Sequence, residues 1–289
     1  MKFPIFNLIL TVFLFWLTIQ IESSYEEYLS YFFILTVGII HGSNDISLIK
    51  IVKKGKRLTK TYLLVYVALI VFNIIAFLIS PLLALVFFVF ISCYHFGEQH
   101  FHQQIRIPNI HSRLLYLSYG VLIFGLLFYF NATQTSLIIN DLIGYSLSEI
   151  QFFWFMVFGI VSTLFFSILN IKNFKEELNY FQEVFLILLF ALLFKMAALL
   201  WAFAIYFIVW HSIPSLIDQT KALYGESSKM NFINYIKSSI IYWLISIVGV
   251  IILYVLTIYF QINFITIFFA FLAAITVPHV IVMYLLNKN

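Results

Sequence analysis

Charge is scarce in this sequence: Asp, Glu, Lys and Arg together make up only 10% of its 289 residues. A chain that is 63% hydrophobic, with a mean hydropathy of +1.04, has far more apolar surface than a soluble core can bury. That excludes a soluble fold and implies a polytopic membrane protein. Cysteine is nearly absent as well. With Cys93 alone, an intrachain disulfide and a cysteine-based metal site are both excluded. No solenoid period, low-complexity tract or polar domain interrupts the chain, so residues 1–289 are expected to form one integral membrane domain. The net charge of +4 sits in short polar stretches between apolar runs, and no nucleic-acid partner is expected.

Backbone amides in lipid must be satisfied within their own segment, so apolar runs of about 20 residues read as membrane-spanning helices. About ten such runs are present, at 3–21, 29–49, 62–79, 81–98, 114–131, 151–170, 179–195, 197–215, 236–259 and 262–285. The expected fold is therefore an all-α, polytopic transmembrane bundle. Ser80-Pro81 marks a tight turn between the third and fourth spans. The first run, behind Lys2, is long for a signal peptide, and nothing near Ile21–Ser24 offers a small-x-small cleavage site. With both termini cytoplasmic, every basic residue except Lys195 falls on the cytoplasmic side, including Lys2, the run from Lys50 to Lys60, and Lys288. The positive-inside rule selects that orientation.

Four histidines then take up comparable positions. His41, His95, His211 and His279 lie near the ends of the second, fourth, eighth and tenth runs. Each precedes its next basic residue (Lys50, Arg106, Lys221 and Lys288) by nine to eleven positions. A spread of two residues corresponds to about 3 Å of depth along a helix. Any single buried histidine can be a neutral ring bonded to a carbonyl across a helix interface. Four at one depth, on spans of one direction, call for a shared purpose, because an ionisable group inside a membrane is costly without a partner.

A metal ion is the simplest purpose. Imidazole suits iron, copper, zinc and nickel. Asp45 follows His41 by four residues and Glu98 follows His95 by three, so each carboxylate shares a helical face with a candidate ligand. Either could accept the second ring N–H and fix the ring's tautomer. Helix capping or contact with the cytoplasm explains these carboxylates equally well. Asp218 reads as solvated. His100, His102 and His111, amid polar residues, read as loop residues, and their spacing lacks the HxxxH and HxxHH boxes of membrane desaturases and hydroxylases. Most of the 35 Phe and 18 Tyr are packing or lipid-facing residues.

The segments His41-Gly42-Ser43-Asn44-Asp45, Tyr94-His95-Phe96-Gly97-Glu98-Gln99-His100, Trp210-His211-Ser212-Ile213-Pro214-Ser215 and Pro278-His279 resemble the Brp/Blh family of bacterial and archaeal β-carotene 15,15′-dioxygenases. The resemblance implies an enzyme of the cytoplasmic (inner) membrane. It would use Fe(2+) and O2 to cleave the central double bond of β-carotene, and hand the two retinal molecules to a rhodopsin. His41, His95 and His211 match family positions implicated in iron binding. Where some members carry a further histidine one turn after the third, this chain has Ser215, which leaves His279 as the fourth ligand or the site with three. The chain is not itself a rhodopsin, because its last span has no lysine for a Schiff base. Two other readings stand beside this one: a transporter for metal ions or protons with a histidine relay, and another membrane metalloenzyme such as a lipid hydroxylase.

Overall fold

The structure, a computed structural model, describes residues 5–52, 56–176, 178–261 and 264–287. The expectations placed on Lys2, Lys53, Lys54 and Lys288 concern residues outside these. Helices follow one another as α1 (Ile5–Gln20), α2 (Ser23–Val52), α3 (Lys56–Ile79), α4 (Pro81–Phe101), α5 (Ile110–Phe130), α6 (Ala132–Ile143), α7 (Glu149–Leu169), α8 (Tyr180–Met196), α9 (Leu199–Tyr224), α10 (Lys229–Phe260) and α11 (Phe264–Asn287). Among the described residues, eight are long and apolar enough to cross a membrane: α2, α3, α4, α5, α7, α9, α10 and α11. The chain is an all-α membrane protein. The first and seventh expected spans are helical too, but α1 has 16 residues and α8 has 17. At 1.5 Å per residue they extend about 24–26 Å, short of a hydrocarbon core of about 30 Å.

Helix ends explain the other departures. Proline fits the first turn of a helix, and α4 begins at Pro81 after a single residue, Ser80, outside helix. At its other end α4 continues to Phe101, beyond the expected end at 98, so His100 is a helical residue rather than a loop residue. The stretch between the expected eighth and ninth spans is also largely helical: α9 runs to Tyr224, and α10 begins at Lys229 with the Ser228 hydroxyl accepting from the Asn231 N–H.

The chain divides into two compact units. The first comprises residues 1–34, 92–140 and 145–212, and the second residues 35–91, 141–144 and 213–289. In the first unit, α4 and α5 cross at glycines. A methyl group on Gly97 would land on the carbonyl of Tyr116, and one on Gly120 on the carbonyl of Cys93. Lipid gives helices no hydrophobic reason to associate, so such close backbone approach is a main source of packing energy. Gly97→Leu is therefore expected to force α4 and α5 apart and cost about 1–3 kcal/mol. Thermal unfolding in detergent would show this as a lowered midpoint. Gly249→Leu, at a site with nothing within 4 Å of an added Cβ, should leave the midpoint unchanged.

The same unit fastens α9 through polar groups. Its first N–H groups have no intrahelical acceptor, and they are taken up by side chains: Ala198 N–H donates to Glu26 (2.8 Å) and Leu199 N–H to Gln134 (3.0 Å). Trp201 and Trp210 donate their indole N–H groups to Thr18 and Thr11 of α1, both at 2.8 Å. Asn7 of α1 donates to the carbonyl of Val209 at 2.9 Å. That carbonyl lies in a π-helical turn, Phe207–Ser212. Irregular backbone at membrane depth survives where neighbouring side chains satisfy it, and Asn7 does that here.

In the second unit, α2 carries another π turn, Ile34–Gly38, and a tightened turn at Ser43–Asn44 where the Ser43 N–H donates to Ile40. Asn44 is fully buried and ties this turn to α10. Its amide donates to the Tyr235 carbonyl (3.0 Å) and Ser239 hydroxyl (2.7 Å), and its oxygen accepts from Ser238 (3.0 Å). Pro278 sits inside α11, so Ala274 lacks its usual helical donor.

Candidate metal centre

His41 and His279 form one pair, in the second unit. Their ring centroids are 4.8 Å apart with the planes nearly perpendicular, and both residues are buried. His41 stands three residues past the π turn of α2, and its Nδ1 bonds the carbonyl of Gly38. A carbonyl can only accept, so Nδ1 carries the proton and Nε2 the lone pair. Tyr235 reaches the same segment: its hydroxyl donates to Gln219 Oε1 at 2.7 Å and lies 3.1 Å from the carbonyl of His41.

His279 is oriented differently. Its Nδ1–H points at the Asp45 carboxylate, 2.8 Å from Oδ1 and 3.1 Å from Oδ2. Asp45 is only 1% exposed, and its Oδ2 also accepts from the Tyr66 hydroxyl of α3 at 3.0 Å. The carboxylate thus meets His279 rather than His41, the partner that sequence spacing suggests. The tightened turn at Ser43–Asn44 breaks the regular i,i+4 relation and aims Asp45 at α11. Like His41, His279 directs its Nδ1–H at a fixed acceptor, which leaves Nε2 as the nitrogen that could bind an ion.

His95 and His211 form the other pair, in the first unit, with centroids 4.7 Å apart and planes at 76°. Each is 2% exposed. Their surroundings are aromatic. Phe96 stacks on the His211 ring at 4.4 Å and Phe207 at 5.5 Å, while Tyr206 stacks on Phe96 at 5.7 Å. His211 belongs to the π turn of α9. π turns in long helices mark functional sites with unusual frequency, and both of those described here adjoin a candidate ligand. Glu98, also buried, receives a long hydrogen bond of 3.4 Å from Tyr94.

The remaining predicted residues fall elsewhere. His100 Nε2 pairs with Glu183 of α8 at 2.7 Å, and its ring stacks on Tyr119 at 4.5 Å. His102 follows the end of α4, and His111 is exposed in the first turn of α5. Ser215 accepts a hydrogen bond from Gln219 at 2.9 Å. Asp218 is half-buried in the last part of α9.

The donor set fits a first-row transition metal. Imidazole suits such ions, and each unit brings two buried imidazoles together, His41 with His279 and His95 with His211. A carboxylate behind a ligating ring is a recurrent way of fixing its orientation and raising its basicity. The family model for beta-carotene 15,15′-dioxygenase matches residues 32–287. The chain belongs to that family. No match is found among curated proteins or among solved structures. The part of this β-carotene dioxygenase family member that matches contains all four histidines, Asp45 and Glu98. It also contains residues that spacing did not reveal: Gly38, Asn44, Tyr66 and Tyr235. Asn44 adjoins Asp45 in the first motif and could have been singled out as a polar residue in an apolar helix. Tyr66 had no such signal, since tyrosines are common throughout the chain.

Proposed function

We propose that this protein cleaves the central 15,15′ double bond of β-carotene with O2 to give two molecules of retinal, at one iron ion held by His41, His95, His211 and His279. The observation that carries this reading is the state of the unit-two pair: two buried imidazoles with Nδ1 committed to fixed acceptors, and therefore with Nε2 as the donor nitrogen, in a member of this family. When bound, iron(II) would supply the electrons that activate O2. The protein's own part is binding, orientation and exclusion of water. Gly38 and Asp45 hold two rings in one tautomer each. Phe96 and Phe207 stack on His211, with Tyr206 behind Phe96, and this apolar surface suits a polyene and keeps water from the reacting carbons.

A hydrocarbon as long as β-carotene resides in the bilayer, so histidines buried within spanning helices can meet it without its transfer to water. Retinal would leave by the same medium, to a rhodopsin in the same cell membrane. The distribution of basic residues supports a cytoplasmic-membrane protein with both termini inside. Expression in β-carotene-producing bacteria tests the reading. The expected result is loss of orange colour with retinal appearing in about a 2:1 ratio to β-carotene consumed, and iron in the purified protein. Undiminished β-carotene, or ion flux through reconstituted vesicles without retinal, would favour the transporter reading instead.

A further inference from the structure

The Asp45 carboxylate stands between two partners on different helices, and only one of them is a candidate ligand. His279 of α11 takes Oδ1 at 2.8 Å, and Tyr66 of α3 takes Oδ2 at 3.0 Å. A carboxylate only 1% exposed is shut off from bulk water, so its position is set by what it bonds. We propose that Tyr66 is a positioning residue for the metal centre, acting through Asp45 to set the orientation of His279 and its strength as a donor. This rests on the metal reading given above, which it extends to a residue on a third helix.

Two physical effects run through the phenol. By occupying Oδ2, its O–H fixes the carboxylate plane, so that Oδ1 stays in line with the Nδ1–H of His279 and the ring cannot swing. By donating a hydrogen bond to the carboxylate, it also withdraws negative charge, which keeps the His279 proton on Nδ1 and moderates the push on Nε2. Loss of the phenol oxygen frees the carboxylate to turn and at the same time makes it a stronger acceptor. Retention of the ion should weaken, and the ion's electronic environment should change. A purely structural tyrosine would produce neither effect at constant stability.

Tyr66→Phe removes only the hydroxyl of a half-buried side chain, so the packing of α3 is kept. The test uses the whole protein in detergent, loaded with cobalt(II) as a visible reporter and challenged with a chelator. Tyr66→Phe should lose cobalt faster by about two- to tenfold, below the 10–100-fold typical of removing a direct outer partner of a ligand. Its visible absorption bands should shift, which a loss of stability alone would not do, while its thermal midpoint without metal falls only by what one lost hydrogen bond to a carboxylate costs. In an Asp45→Asn background, Tyr66→Phe should add little, since its route of action is already cut. A parental release rate and spectrum in Tyr66→Phe would overturn the proposal. So would an undiminished effect in the Asp45→Asn background. A parent protein that retains neither cobalt nor iron would overturn the metal reading and this inference with it. That outcome is distinguishable because it precedes any substitution at Tyr66.

Discussion

His279→Ala is expected to abolish retinal formation and iron retention, and to destabilise the metal-free fold as well. Each of His41→Ala, His95→Ala and His211→Ala should lower turnover by more than the roughly 100-fold that loss of an outer partner can cost. His279 differs in what its loss leaves behind. Asp45 is buried, and without the imidazole its carboxylate keeps, among the described residues, the Tyr66 hydroxyl. Taking away a hydrogen bond to a buried carboxylate costs about 1.5–3 kcal/mol. The metal-free protein should therefore unfold below the parent midpoint in His279→Ala. Combining His279→Ala with Asp45→Asn should restore much of that stability while activity stays absent. Parental iron content in any of the four alanine variants would remove that residue from the ligand set.

Asp45→Asn carries the second large effect. The amide oxygen can still accept from the Nδ1–H of His279, so the fold should persist. It has no charge with which to raise the basicity of the ring, and its NH2 group faces a Tyr66 hydroxyl that had been donating. Iron affinity or turnover should fall by about 10–100-fold. Glu98→Gln tests the other predicted carboxylate, which accepts from Tyr94 at 3.4 Å. Measured iron per protein and retinal produced per minute separate these cases. Parental values for both quantities in Asp45→Asn would end its assigned role.

Much of the fold was legible because hydropathy reports directly on what a bilayer tolerates. The apolar runs became helices, and the turn at Ser80-Pro81 lies where proline places it. What hydropathy could not show was where helices end once polar residues find partners. Glu98, Gln99 and His100 look like the polar end of a span, yet α4 continues through them, with His100 bonded to Glu183. The candidate ligands were legible as a repeated depth. Their supports were not: Asp45 and His279 are 234 positions apart, and periodicity speaks only of residues within one helix. The helix-spacing rule that paired Asp45 with His41 assumes regular geometry, which the turn at Ser43–Asn44 does not keep.

The π turns at Ile34–Gly38 and Phe207–Ser212 also bear on how relatives of this chain should be aligned. A π turn closes its hydrogen bond over five residues rather than four, so it accommodates one residue more than an α turn in nearly the same rise. In a span of fixed thickness, it acts as a one-residue insertion. Deleting Val37 would let the helix revert to α geometry while the segments on either side keep nearly the same facing, because the π turn had absorbed the extra residue. His41 and the Asn44 anchor to α10 could then both keep their places. A single-residue gap at either turn therefore fits between chains whose histidines point the same way, and it gives no ground for shifting the motif residues beyond it.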